Sequence, residues 1–296
     1  MRTLFFGEDI WVSNFGKYFT HEVSLHDPDV RDLETNDDTA SENIYKELDN
    51  GSNFDIMVAH LIGLDHAGHT HGPTHPELER KLLDVERIVE NIIEKMDDET
   101  TLVAFGDHGM TQDGSHGGSS EIEMRTVLFS YQKQPFPLGR KYRQMYDKFS
   151  VLDSMMKQAD IAPISSVIAN LPTPYSNIGL THPIFTRSDD LEVAVKDMRA
   201  NINQILKYLT AFCEQARSEW CFTELEQFEA DLREEDNIQA VSDYDLVEKL
   251  ERMSVVMNER YKRLMTKWIS HDLMEMIAGI VLAINLLFVH FFISMS

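Results

Sequence analysis

Two apolar runs, each followed at once by an aspartate, constrain the fold of this chain more than any other feature. Residues 54–64 form a nearly continuous apolar stretch, and Asp65 follows it. Residues 101–105 form a shorter stretch, with Asp107 and His108 just beyond it. Such runs are typical of strands covered on both faces in a parallel sheet. Because open α/β sheets bind ligands at the carboxyl ends of their strands, both runs predict a site at that edge.

The chain between the two runs predicts a helix that connects two strands. Pro76 suits the first position of a helix, since it has no amide hydrogen to leave unpaired. Apolar residues then repeat at three- and four-residue spacing, which indicates an amphipathic helix. These residues are Leu78, Leu82, Val85, Val89, Ile92 and Met96. Residues 1–9 read as a further buried strand that runs into a loop, and residues 126–131 as another strand.

Length and charge bound the class of protein. The 296 residues allow one large α/β domain, or one domain and an appendage. The formal net charge is -23, and no basic arm is large enough to reverse it. Such a surface repels nucleic acid, so no nucleic-acid partner is expected.

Two short features bear on the cellular compartment. Cys213 and Cys221 fall in a segment that reads as helix, where eight residues rise about 12 Å. That exceeds the reach of a disulfide unless the helix breaks between them, so we expect two free thiols. Asn50 begins an Asn-Gly-Ser glycosylation sequon, which favours a lumenal location.

The second half of the chain predicts helices and then a membrane span. Residues 191–271 read as two long lumenal helices with an acidic break at 234–236. Residues 276–293 carry no formal charge and span about 27 Å as a helix, near the lower limit for crossing a bilayer. We therefore expect a transmembrane helix over 275–294, against the alternative of a buried or partner-packed terminal helix. The predicted domains are 1–190, 191–271 and 275–294.

Three segments together have the residue types of a metal site. Asp65 and His69 stand four residues apart, Asp107 and His108 are adjacent, and His116 lies in a glycine-rich stretch. Carboxylate and imidazole are the ligands that catalytic zinc uses. The alternative is a set of surface loops with scattered histidines and aspartates. All three segments in order, the first two at strand ends, favour the metal site.

The same segments carry a family resemblance. Residues 59–73 and 105–111, with 158–163 and 174–179, resemble the glycosylphosphatidylinositol (GPI) ethanolamine phosphate transferases of the alkaline phosphatase superfamily, most nearly type 3. The resemblance covers residues 1 to about 180 well. It implies an α/β fold: a partial alkaline-phosphatase-like sheet with flanking helices, followed by the helical region and one C-terminal transmembrane helix.

The resemblance also implies roles for individual residues around two zinc ions. Asp65, His69 and His116 would hold the first zinc, and Asp107 and His108 the second. In the family a further Asp and a Thr nucleophile complete the second zinc, and both are expected upstream of Met1. Two other histidines, His71 and His75, would line the substrate entrance.

The activity that the resemblance implies is the transfer of phosphoethanolamine from phosphatidylethanolamine to a mannose of the GPI anchor precursor. A small stabilising membrane-protein subunit is an expected partner. The expected location is the endoplasmic reticulum membrane with the catalytic part lumenal, although the basic residues between 260 and 267 favour a cytosolic flank by the positive-inside tendency. Two alternatives stay open: a non-catalytic metal-binding or interaction protein, and another phosphodiesterase or sulfatase of the superfamily.

Overall fold

The computed structural model divides into two compact units, Met1–Pro135 and Phe136–Ser296. It describes residues 1–26, 29–134, 136, 156–186, 188–216, 219–237, 239–240, 242–243, 245–250, 252–257, 259–260 and 263. The domain boundaries predicted at 190 and 271 stay predictions. The predicted transmembrane segment, 275–294, lies outside the described residues. Within the described part, no helix combines the length and the apolar character needed to cross a membrane.

The first unit contains a three-stranded parallel sheet and a separate antiparallel pair. In the parallel sheet β1 lies between β2 and β3, and Leu4 pairs with His21 on one side and Met57 on the other. In the second sheet β4 and β5 run antiparallel. The strands are β1 Thr3–Glu8, β2 His21–Leu25, β3 Ile56–Ala59, β4 Leu102–Phe105 and β5 Leu128–Tyr131.

Five helices accompany these strands in the first unit. They are α1 Asp9–Phe15, α2 Thr35–Asp49, α3 Gly63–His71, α4 Pro76–Lys95 and α5 Glu121–Met124. Leu4 and Phe6 of β1 are fully buried against α2, through Ala40 and Ile44 among others. On the opposite face Phe5 stacks on Phe19 at 5.0 Å. The central strand is therefore covered on both faces, as its apolar sequence predicts.

The pairing of β4 and the cover of β3 differ from what the two apolar runs predict, whereas the helix between them agrees in most respects. Strand β4 does not pair with β3, so the predicted β-α-β unit is not one parallel sheet among the described residues. Strand β3 lies at the sheet edge, and Val58 is therefore 37% exposed rather than covered. On α4, which begins at Pro76 as predicted, the buried side chains are Lys81 and Ile88, whereas Leu82 is 56% exposed. Ile92 and Met96 of the predicted apolar face pack in the core of the first unit, so the amphipathic helix is confirmed, with Leu82 outside its buried side.

The second unit is helical and contains the largest correction. Helix α6 spans Ile161–Ile168, α7 spans Leu191–Ala216, α8 spans Glu219–Asn237, and helical residues follow at 245–250 and 252–257. The expected free thiols are wrong, because Cys213 and Cys221 form a disulfide. A helix ends at Ala216 and a new one starts at Glu219, which brings the two Cα atoms to 5.5 Å. The predicted break at the acidic residues 234–236 lies within one residue of a second helix end, because α8 ends at Asn237 and residues 239–240 are not helical.

Candidate metal site

The site begins on α3, just past the carboxyl end of β3. Residues 60–62 connect the strand to the helix, and Asp65 lies in the first helical turn. His69 follows one turn later, and residues four apart lie on one face of a helix. Accordingly, Nε2 of His69 is 3.4 Å from Oδ2 of Asp65. The helix alone therefore supplies a carboxylate and an imidazole to the same point.

A loop after β4 returns a second imidazole to Asp65. Nε2 of His116 lies 3.6 Å from Oδ1 of Asp65. The loop closes on itself, since Thr111 accepts from Gly114 through its carbonyl and donates its amide to the carbonyl of Ser115. Gly114 has a φ of 76°, a left-handed conformation that other residues rarely adopt. The turn at Gly114 thus brings His116 back to the helix.

His108 stands beside His116 at the edge of this group. The two rings stack with centroids 3.7 Å apart, and Nε2 of His108 is 4.0 Å from Oδ1 of Asp65. Nδ1 of His108 lies 3.0 Å from the carbonyl oxygen of Gly109, to which it can only donate. That hydrogen bond fixes the tautomer and leaves the Nε2 lone pair free for a metal ion.

The side chains of Asp65, His69 and His116 are arranged to bind a divalent cation and do not satisfy one another by hydrogen bonds. One ligand atom each from Asp65, His69 and His116 all lie within 4.8 Å of one another. Oδ1 of Asp65 is buried, yet it accepts no hydrogen bond from any residue that the structure describes. A buried, unsatisfied carboxylate oxygen is costly, and a cation between it and the imidazoles removes that cost. The donor set of one carboxylate and two or three imidazoles suits zinc.

Asp107 lies at the rim of this arrangement. Its side chain is 65% exposed, and Oδ2 is 3.5 Å from Nε2 of His108. Its Oδ1 accepts from the amide of His108. The structure therefore brings Asp65, His69 and His116 together, with His108 adjacent and Asp107 outside the group. The assignment of Asp107 and His108 to a second zinc stays a prediction.

The remaining candidate residues lie on the surface. The rings of His71 and His75 stack at 4.5 Å, and Nδ1 of His75 accepts from the amide of Glu77 at the start of α4. Their role at a substrate entrance stays a prediction. Asn50 is exposed directly after α2, with its side chain open to modification, and its glycosylation also stays a prediction.

Sequence reasoning missed the residues that hold α3 in place. Asp37 and Lys81 are each 1% exposed and form an ion pair beside the start of the helix. His66 turns away from the site, where it is buried and hydrogen-bonded to the carbonyl of Asp32. Nothing in the spacing distinguishes Asp37 from its neighbour Asp38. The one available signal was Lys81, a charged residue next to a predicted apolar face.

Comparison with known proteins shows which family this chain resembles. The family model described as type I phosphodiesterase / nucleotide pyrophosphatase matches residues 8–168, more than half of the chain. The human GPI ethanolamine phosphate transferase 3, catalytic subunit, is 31% identical over 71% of this chain and 19% of its own length. The Schizosaccharomyces pombe type 3 transferase is also 31% identical, over 70% of this chain and 22% of its own length. The Kluyveromyces lactis type 2 transferase is 27% identical over 75% of this chain and 30% of its own length.

The chain thus spans about a fifth of the length of the type 3 relatives it matches. No solved structure matches it significantly. The family match includes every residue of the candidate metal site, from Asp65 to His116. This chain belongs to the type I phosphodiesterase / nucleotide pyrophosphatase family, within the alkaline phosphatase superfamily.

Proposed function

We propose that this chain supplies the metal-binding part of a GPI ethanolamine phosphate transferase. The reaction moves phosphoethanolamine from phosphatidylethanolamine to a mannose of the GPI anchor precursor. The observation that carries the proposal is the unsatisfied Oδ1 of Asp65, which faces the imidazoles of His116 and His108. The similarity to type 2 and type 3 transferases supports this substrate class.

Zinc is the proposed metal, and Asp65, His69 and His116 would hold the first ion. Asp107 and His108 are proposed ligands of a second ion. Bound metal ions supply a positive charge that stabilises the attacking and leaving oxygens of a phosphodiester during in-line displacement. This chain covers about a fifth of the length of its type 3 relatives, so the completing carboxylate and the Thr nucleophile stay predictions.

The surrounding structure holds the proposed metal ligands in fixed orientations. Asp65 is held on a regular helix, which fixes the direction of its carboxylate. The Gly109 carbonyl holds His108 in one tautomer. The side chains of Asp65, His69 and His116 are 24%, 33% and 31% exposed, so one side of the group is open to a polar headgroup. An open position beside the protein ligands is what distinguishes a catalytic zinc site from a structural one.

The proposed location is the endoplasmic reticulum membrane, with the described residues lumenal. The Cys213–Cys221 disulfide supports an oxidising compartment, since disulfides are rare in the cytosol. The exposed sequon at Asn50 is compatible with lumenal glycosylation. Attachment through residues 275–294 and a small stabilising membrane subunit belong to the same proposal.

Metal binding is tested first. The purified protein is titrated with Zn²⁺, together with Asp65→Ala and His116→Ala. We expect both variants to lose about 100-fold or more in affinity, because each removes a direct ligand. His21→Ala is the matched control, since His21 begins β2 at the opposite edge of the sheet. Equal Zn²⁺ binding in all four proteins would overturn the site.

Transfer is tested in yeast cells depleted of their own type 3 enzyme, with GPI intermediates measured by mass spectrometry. Because no Thr nucleophile is identified in this chain, the protein tested is a hybrid in which the chain replaces the matching segment of the yeast type 3 enzyme. We expect this hybrid to add one phosphoethanolamine to the precursor and its Asp65→Ala variant to add none. Tight Zn²⁺ binding with no added phosphoethanolamine would overturn the transferase proposal and favour a non-catalytic metal-binding protein.

A further inference from the structure

We infer that Asp37 and Lys81 form a buried positioning pair for α3, which sets the orientation of Asp65 and His69 toward the metal. This inference rests on the proposed metal site. Oδ1 of Asp37 accepts from the amides of Ile62 at 2.9 Å and Gly63 at 3.1 Å. These are among the first amides of the helix, which have no partner within it.

The carboxylate comes from α2, not from the helix that it caps. Ile62, the residue before α3, offers no side-chain cap of its own. A negative charge at a helix N-terminus is also favoured by the helix dipole. Asp37 therefore ties the start of α3 to an element that packs on the central strand, and a shift of one moves the other.

Lys81 neutralises this carboxylate from α4. Its Nζ lies 2.9 Å from Oδ2 of Asp37 and 3.2 Å from Oε2 of Glu34. Oδ2 of Asp37 accepts no well-aligned hydrogen bond from the described residues, so the ion pair is its compensation. Burial by itself lowers the pKa of Lys81, but the charge of Asp37 and the hydrogen bonds outweigh it and raise the pKa. Lys81 is therefore charged at neutral pH.

The start of α3 fits against this pair without spare room. A Cβ atom at Gly63 would lie 2.2 Å from Cε of Lys81 and 2.3 Å from the carbonyl oxygen of Leu33. Real Cβ atoms do not approach that closely, and a backbone carbonyl cannot move aside cheaply. The start of α3 can therefore pack against residues 33–37 and Lys81 in one position only.

A second row of contacts fixes the rotation of α3 about its axis. His66 Nδ1 donates to the carbonyl of Asp32 at 2.8 Å, and Thr70 Oγ1 donates to the carbonyl of Val30 at 2.9 Å. Residues 66 and 70 follow Asp65 and His69 by one position each, so the two rows lie side by side along the helix. One row faces residues 30–32 while the other faces the metal site. The contacts of residues 66 and 70 thereby set the direction in which Asp65 and His69 leave the helix.

The test compares Co²⁺ binding in Asp37→Asn and Lys81→Met with the wild type. Asp37→Asn keeps an oxygen for the two amides and removes the charge, whereas Lys81→Met keeps most of the volume. Asp38→Asn is the matched control for Asp37→Asn, because Asp38 is its exposed neighbour. Lys95→Met is the matched control for Lys81→Met, because Lys95 lies at the end of α4 and pairs with Asp49. The readouts are the Co²⁺ dissociation constant and the visible absorption spectrum, which reports ligand geometry. Circular dichroism verifies that each variant is folded.

We expect Co²⁺ affinity to fall about tenfold or more in both variants, with an altered spectrum, and to stay within twofold in the controls. If Lys81→Met does not fold, Asp37→Asn and hydrogen exchange of residues 60–71 decide the question. Wild-type affinity and spectrum in a folded Asp37→Asn protein would overturn the inference. Asp65→Ala separates the two proposals: if it still binds Co²⁺, the metal site itself is wrong.

Discussion

The two segments that supply the candidate ligands are held in different ways. Helix α3 is tied to residues 30–37 by hydrogen bonds from both its start and its side, and Gly63, His66 and Ala67 are buried. The loop that carries His116 is exposed along most of residues 115–121 and is closed mainly by contacts within itself. The helix therefore sets where the metal lies, and the loop supplies a ligand that can adjust to it.

The largest expected contrast is between a glycine of the helix and one of the loop. Gly63→Ala places a Cβ against Lys81 and the Leu33 carbonyl, so we expect the free energy of unfolding to fall by about 3 kcal/mol. Gly117→Ala meets no atom within 4 Å, and its φ of 98° leaves only backbone strain of about 1 kcal/mol. Urea denaturation of the metal-free proteins measures both. Equal losses would show that the start of α3 is no more constrained than the loop.

A smaller effect is expected where the loop touches the helix. Gly114 has a φ of 76°, and a Cβ there would lie 2.5 Å from the Gly68 carbonyl oxygen. We expect Gly114→Ala to weaken Zn²⁺ binding several-fold, because it displaces His116 from Asp65. Gly51→Ala is the matched control, since its φ of 87° gives similar strain with no atom within 4 Å. Unchanged Zn²⁺ affinity in Gly114→Ala would mean that this turn does not position His116.

The smallest expected effect is on the pH dependence of stability, through the contacts of Glu34 with Arg80 and Lys81 of α4. Burial raises the pKa of Glu34, but hydrogen bonds from Arg80 and Lys81 outweigh it and hold the pKa below its ordinary 4.5. The unfolded chain therefore takes up the proton first, so this stabilisation is present above pH 4.5 and is lost as pH falls through the lower folded value. The melting temperature of the metal-free protein should fall as the pH is lowered, and Glu34→Gln should reduce that dependence on pH. Glu90→Gln, on the exposed side of α4, should not. Identical pH profiles for both variants would contradict this role of Glu34.

Much of the local structure could be predicted from the sequence. The strand at residues 3–8, the start of α4 at Pro76 and the strand at 102–105 follow from apolar runs and proline geometry, which act over a few residues. The pairing of β4 with β5 and the break between α7 and α8 depend on contacts between distant parts of the chain. Periodicity carries no information about those contacts, and so the disulfide was missed.

The candidate site divides in the same way. Residue type and position at strand ends were enough to indicate Asp65, His69 and His116, because metal chemistry restricts which side chains can serve. Asp37 and Lys81 could not be found, since a charged pair is buried only by the arrangement of three helices around it. The exposure of Asp107 likewise depends on the loop conformation.

Zinc K-edge X-ray absorption on the purified, zinc-loaded protein tests the central claim most directly. The account predicts a first shell of nitrogen and oxygen at about 2.0–2.2 Å with imidazole scattering from His69 and His116. The imidazole contribution should fall in His116→Ala. A shell without imidazole, or one that is unchanged in His116→Ala, would contradict it.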